Sequence, residues 1–127
     1  MNKGYEWKKI LDENLALSVD NLDMSSDGKN IAVAGRGGRL TLWLSGDAGD
    51  NWHSVSISDN LILETIWRVK ISENGETIVF LAPSDLGPYN IFVSIDGGNS
   101  FKAIKQEKYG INAGYIEIST SGNYIYI

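Results

Sequence analysis

Three stretches of this chain superpose without a gap: MSSDGKNIAV at 24–33, ISENGETIVF at 71–80 and ISTSGNYIYI at 118–127. Ser25, Ser72 and Ser119 stand 47 residues apart, and so do Gly28, Gly75 and Gly122. A repeat of this length constrains the fold strongly, because a single unit cannot bury its apolar face alone and successive units must stack. Each copy reads as an extended run, a polar turn with glycine at one fixed place, and an alternating apolar run. That is the pattern of a β-hairpin. The fixed glycine has a physical reason, since it enters positive φ without steric cost.

A second marker keeps nearly the same beat. SGDAGDNW at 45–52 and SIDGGNSF at 94–101 share the frame Ser-x-Asp-x-Gly-x-x-aromatic, with matching positions 49 apart. An incomplete third copy opens the chain, where Asn2, Gly4 and Trp7 fill the acidic, glycine and aromatic places. Asn keeps an acceptor oxygen there but loses the charge. Four strands per unit follow. First strands are predicted over 16–24, 65–71 and 115–118, and second strands over 31–34, 78–81 and 124–127. Third strands are predicted over 40–44 and 90–94, and fourth strands over 7–11, 52–57 and 101–105. No window sustains a 3.6-residue period between caps, so little or no helix is expected. Four antiparallel strands in a repeat of about 40–50 residues make the blade of a β-propeller. The expected fold is therefore all-β: a propeller-like arc of four-stranded antiparallel blades within a single domain. Whole blades span 16–57 and 58–105, and partial ones span 1–15 and 106–127.

The frame Ser-x-Asp-x-Gly-x-x-Trp resembles the Asp-box, or BNR repeat, of sialidases. It is similar to the same box in sortilin-type receptors, xyloglucan-cleaving glycosidases and photosystem II assembly factors. Through its repeat spacing the resemblance covers the whole chain, but the box marks a fold rather than an activity, and function has to be argued from a site. In such a turn the Asp accepts bonds from the backbone N–H groups that follow it. The glycine permits the reversal and the aromatic packs beneath it. Asp47, Gly49, Trp52, Asp96, Gly98 and Phe101 are accordingly read as structural residues of the third-to-fourth-strand turns. The rival reading of DAGDN is a calcium loop, which would want more carboxylates and a distal bidentate Glu. No metal or other cofactor is expected.

Composition narrows the function classes. The 127 residues suit one domain with a substantial core. A net charge of −5 with scattered basic residues gives no footprint for nucleic acid or an anionic membrane. The absence of cysteine removes disulfides, a thiol nucleophile and thiolate metal sites. The opening MNKGYEWKKI lacks the apolar region of a signal peptide, and no apolar run approaches the roughly 18 residues of a membrane span. If the chain is complete, a cytoplasmic location is expected.

In propellers one face carries the connections between second and third strands and between blades, and that face is usually the functional one. Candidate binding residues on it are Arg36 and Arg39 in the turn 35–40, Tyr89 in the turn 83–89 stiffened by Pro83 and Pro88, and Trp67 with Arg68. The sialidase resemblance implies arginines that clamp a substrate carboxylate. The Arg-Ile-Pro motif of those enzymes is absent, however, and a Tyr–Glu nucleophile pair cannot be placed, although Tyr89 and Glu64 exist. Solvation of the arginines at the surface is the plainer reading. His53, the single histidine, reads as an exposed strand residue without a nucleophile beside it. Trp43 and Trp67 read as strand residues packing between sheets, with Trp67 the better sugar platform. Nothing fixes the separation of paired carboxylates for glycoside hydrolysis.

These absences favour a non-catalytic binding or interaction module, with glycan binding suggested by family analogy. A sialidase-like or other glycoside hydrolase fragment and a protein-assembly scaffold are the alternatives. The predicted strands make under three blades, whereas closed propellers typically have about four to eight. Either the chain is a piece of a larger propeller, or copies assemble. A two-fold dimer would contribute four whole blades and two composite ones, six being the number in sialidase-like relatives.

Overall fold

The computed structural model of the chain describes residues 18–36, 40–55, 66–84, 87–104 and 115–127. They form two four-stranded antiparallel sheets and one two-stranded sheet. The first sheet holds β1 (Ser18–Met24), β2 (Ile31–Arg36), β3 (Leu40–Ser45) and β4 (His53–Val55), side by side in chain order. The second repeats that order with β5 (Arg68–Ile71), β6 (Ile78–Ser84), β7 (Gly87–Ser94) and β8 (Lys102–Ile104). The third pairs β9 (Glu117–Ile118) with β10 (Ile125–Tyr126). Among the described residues no helix is long and apolar enough to cross a membrane. The predicted strand at 7–11 lies outside the described residues.

Register carries the repeat. Ile31 pairs with Ser45 and Ile78 with Ser94. Leu44 pairs with His53, and Val93 pairs with Lys102. The apolar runs IAVA and IVFLA do not alternate with polar residues, because both faces of the inner strands β2 and β6 are covered. One cluster joins Ala32, Ala34, Leu42 and Leu44 of the first sheet to Val69, Ile71, Ile78, Phe80 and Phe92 of the second. The odd members of the same strands, Val79, Leu81 and Ile91, turn the other way and meet Ile116, Ile118 and Ile125 of the third. Each sheet thus has a leading face toward the next sheet in the chain and a trailing face toward the one before. Trp43 packs on the trailing face of the first sheet with Ile31, Val33 and Trp52.

Hydrogen bonds lock the first two sheets together. β5 is an edge strand, and an edge leaves backbone groups that need partners. The Val69 and Ile71 N–H groups donate to Asn21 Oδ1 and Asp23 Oδ2 of β1, each at 2.9 Å. Two expected turns are shorter than the sequence suggested. Arg36 belongs to β2 rather than to a turn starting at 35. Pro83 and Tyr89 lie within β6 and β7, so strand pairing extends to Ser84 and Gly87 instead of giving way to a loop over 83–89. The register shift between Ala82 and Ser84 is the physical reason: a bulge seats a proline, which has no N–H for the ladder.

Candidate functional site

The polar turns gather at one end of the sheets, and their chemistry is built from short side chains. In the turn 45–52, Ser45 Oγ donates to Asp47 Oδ1 at 2.8 Å and accepts the Gly49 N–H at 2.9 Å. Asp47 accepts the Asn51 N–H at 2.8 Å and the Asn51 side-chain amide at 2.7 Å. Trp52 then donates its indole N–H to the Gly49 carbonyl at 3.0 Å. In the turn 94–101, Ser94 Oγ donates to Asp96 Oδ1 at 2.7 Å and accepts the Gly98 N–H at 2.9 Å. Asp96 accepts the Ser100 N–H at 2.9 Å and the Ser100 hydroxyl. Gly49 and Gly98 sit at φ 87° and 88°, a left-handed backbone that a glycine adopts without cost.

Hydrogen bonds to the charged form lower a carboxyl pKa. The Asn51 side-chain amide, followed by the Asn51 backbone N–H, holds the Asp47 carboxyl below its ordinary value. The Ser100 hydroxyl, followed by the Ser94 hydroxyl, draws Asp96 down to about 2. Both carboxylates are spent on their own turns.

The turns between first and second strands use a related device that the sequence reading missed. Ser25 Oγ donates to Asp27 Oδ1 at 2.8 Å, and Asp27 accepts the Lys29 N–H at 3.0 Å. Asn74 takes that place in the next unit, accepting from Ser72 Oγ at 2.7 Å and from the Glu76 N–H at 3.1 Å. Ser121 takes it in the third, 3.3 Å from Ser119 Oγ. A serine two residues before an Asp, Asn or Ser was the available signal, and it is the same pair that opens the turns 45–52 and 94–101. The two turn types are tied within each unit: Ala48 N–H donates to the Lys29 carbonyl at 3.0 Å, and Gly97 N–H to the Glu76 carbonyl at 2.9 Å. They are also tied between units. Ser26 donates its N–H and hydroxyl to the Glu73 carboxylate at 2.8 and 2.7 Å, and Glu73 N–H donates to the Thr120 carbonyl at 3.1 Å.

A cleft of about 400 Å³ lies between the first two sheets at this end, with Asn30, Ser45, His53, Glu76 and Asp96 in its wall. Of these, Asn30, Ser45, Glu76 and Asp96 are engaged by the turns, Asn30 through a 2.9 Å bond to the Glu73 carbonyl. His53 is exposed on β4. Among the described residues no group of three or more His, Asp or Glu could hold a metal ion.

The binding candidates lie toward the other end. Arg68 opens β5 and places its guanidinium 5.2 Å from the centre of the Tyr115 ring, across to the third sheet. Such a cation–π contact is worth about 0.5–1 kcal/mol where water reaches it. Trp67 precedes it, 45% exposed, and Tyr115 is 72% exposed. Arg36 ends β2, and Tyr89 lies near the start of β7. Arg39 and Glu64 lie outside the described residues. Sequence reasoning passed over Tyr115, which occupies the place of Arg68 one unit later and carries no motif. No family model, curated protein or solved structure matches this chain.

Proposed function

We propose that this chain is a non-catalytic binding module built from Asp-box, propeller-like repeats, which takes a glycan at the sheet ends remote from the polar turns. The observation that carries the reading is the Arg68 guanidinium 5.2 Å from the centre of the exposed Tyr115 ring, with the exposed Trp67 next to it in the chain. Flat aromatic faces beside a fixed donor suit a sugar ring, which offers apolar C–H faces and hydroxyl acceptors. The repeated geometry of the turns supports the propeller part of the reading, because it recurs at the same place in the two four-stranded sheets. Commitment of Asp47 and Asp96 to their own turns argues against using them as an acid–base pair.

The test pairs a glycan array with turnover assays on fluorogenic glycosides. Binding that falls at least about tenfold in Trp67→Ala and in Tyr115→Ala, without turnover, is the expected result. Cleavage abolished by Arg68→Ala or Glu64→Gln would establish the hydrolase reading instead. Protein partners with no sugar affinity would establish the scaffold reading.

A further inference from the structure

The 47-residue frame relates the first- and second-strand positions of the three sheets, and that comparison singles out two surfaces. On the trailing faces of the second and third sheets, Val69 and Ile116 are each 1% exposed. Their equivalent in the first sheet, Leu22, is 56% exposed. Met24 and Val19 are exposed likewise, whereas their equivalents Ile71 and Ile66 are buried. On the leading faces, Ala32 and Val79 are both 0% exposed, while their equivalent in the third sheet, Tyr126, is 63% exposed. The chain therefore presents the trailing half of a sheet interface at one end and the leading half at the other. Large apolar side chains left exposed at positions the repeat elsewhere buries are candidates for an interaction surface.

We infer that these two surfaces are partners, and that the occupant of each is a second copy of this chain docked head to tail. The argument is continuity with the interfaces already inside the molecule. Val79 of β6 shares one buried cluster with Ile116 and Ile118 of the next sheet. Carried forward one unit, Tyr126 packs on Leu22 and Met24 of the second copy. Asp23 accepts the Ile71 N–H, so its two-unit equivalent, Glu117, is placed to accept the Met24 N–H of that copy. Glu73 N–H donates to the Thr120 carbonyl, so Thr120 N–H is placed to donate to the Ser26 carbonyl. The surface match is partial in a consistent way. The exposed trailing positions lie on β1, the strand that a two-stranded leading face made of β9 and β10 would reach. The outer part of the trailing face, at Ile31, Val33 and Trp43, is already buried. The contact is head to tail, so it either closes into a ring or runs on as a filament.

The lack of any native cysteine makes the test clean. Leu22→Cys and Tyr126→Cys proteins are prepared separately, then mixed and oxidised under mild conditions. Disulfide-linked dimers that form in the mixture and in neither protein alone are the expected result, since only facing Cβ atoms within about 4.5 Å can bridge. Sedimentation equilibrium of the unmodified chain at micromolar concentration should give at least twice the chain mass. Leu22→Asp should weaken that association on the order of a hundredfold, and Ile95→Asp, at an exposed position outside both surfaces, should leave it unchanged. Circular dichroism identical to the parent shows that each variant is folded. A clean monomer, or a Tyr126→Cys protein that links to itself, would overturn the proposal. Neither readout involves a glycan, so the result stands apart from the binding assay.

Discussion

The two acidic turns, 45–52 and 94–101, do the same work with different residues. In both, serine and aspartate sit two residues apart and a glycine at φ near +87° completes the reversal. The carboxylate grips the fourth residue along in each, but Asn51 supplies a side-chain amide where Ser100 supplies a hydroxyl. The aromatics differ more. Trp52 closes its turn with an indole hydrogen bond to Gly49. Phe101 has no donor and instead tilts against Phe80, ring centres 5.2 Å apart, in the core between the first two sheets. What is invariant is therefore the set of backbone requirements. How the aromatic anchors the turn follows from what lies beneath it.

The comparison breaks most sharply at the glycines. Gly98→Ala would force a Cβ into Leu44 Cδ1 in a left-handed backbone, combining overpacking with conformational strain. A loss of about 3 kcal/mol in denaturant unfolding is expected. Next come the carboxylates. The folded pKa of Asp96 is depressed to about 2 from an ordinary 3.8, so its stabilising contribution is complete above about pH 4 and is lost as pH falls toward 2. Melting temperature should drop across that window in the parent protein and drop less in Asp96→Asn. Asp47→Asn should flatten the same acid limb by a smaller amount. Trp52→Phe converts the first anchor toward the second and should cost about 1 kcal/mol, the net worth of one hydrogen bond. The smallest effects belong to the residue before each turn glycine. Ala48 sits at φ 59° and Gly97 at φ 67°. Ala48→Gly should gain, and Gly97→Ala lose, about 0.5 kcal/mol by chemical denaturation.

Much of this architecture was legible because turn chemistry is local. A serine, an acceptor and a glycine must occur at fixed offsets, so the 47-residue beat shows in the letters and places the hairpins at 25–30 and 72–77. The strand limits differ mainly where a proline misled. Pro83 reads as a loop residue, yet a bulge keeps it in β6. The ties between units were not legible. Asn21 and Asp23 reach β5 amides 48 residues away, and Glu73 reaches Ser26 across 47. Nothing around a lone Asn or Glu announces a partner so distant. The candidate site was legible only at Trp67 and Arg68, because Tyr115 acquires its place from the stacking of the third sheet on the second.

Amide hydrogen exchange at Asn51 and Ser100 puts the shared turn mechanism to the most direct test. Both residues are exposed, so without a fixed acceptor their amides would exchange as in an unfolded peptide. Protection at both, lost at Asn51 alone in Asp47→Ala and at Ser100 alone in Asp96→Ala, is the predicted result. Unprotected amides in the parent protein would contradict it.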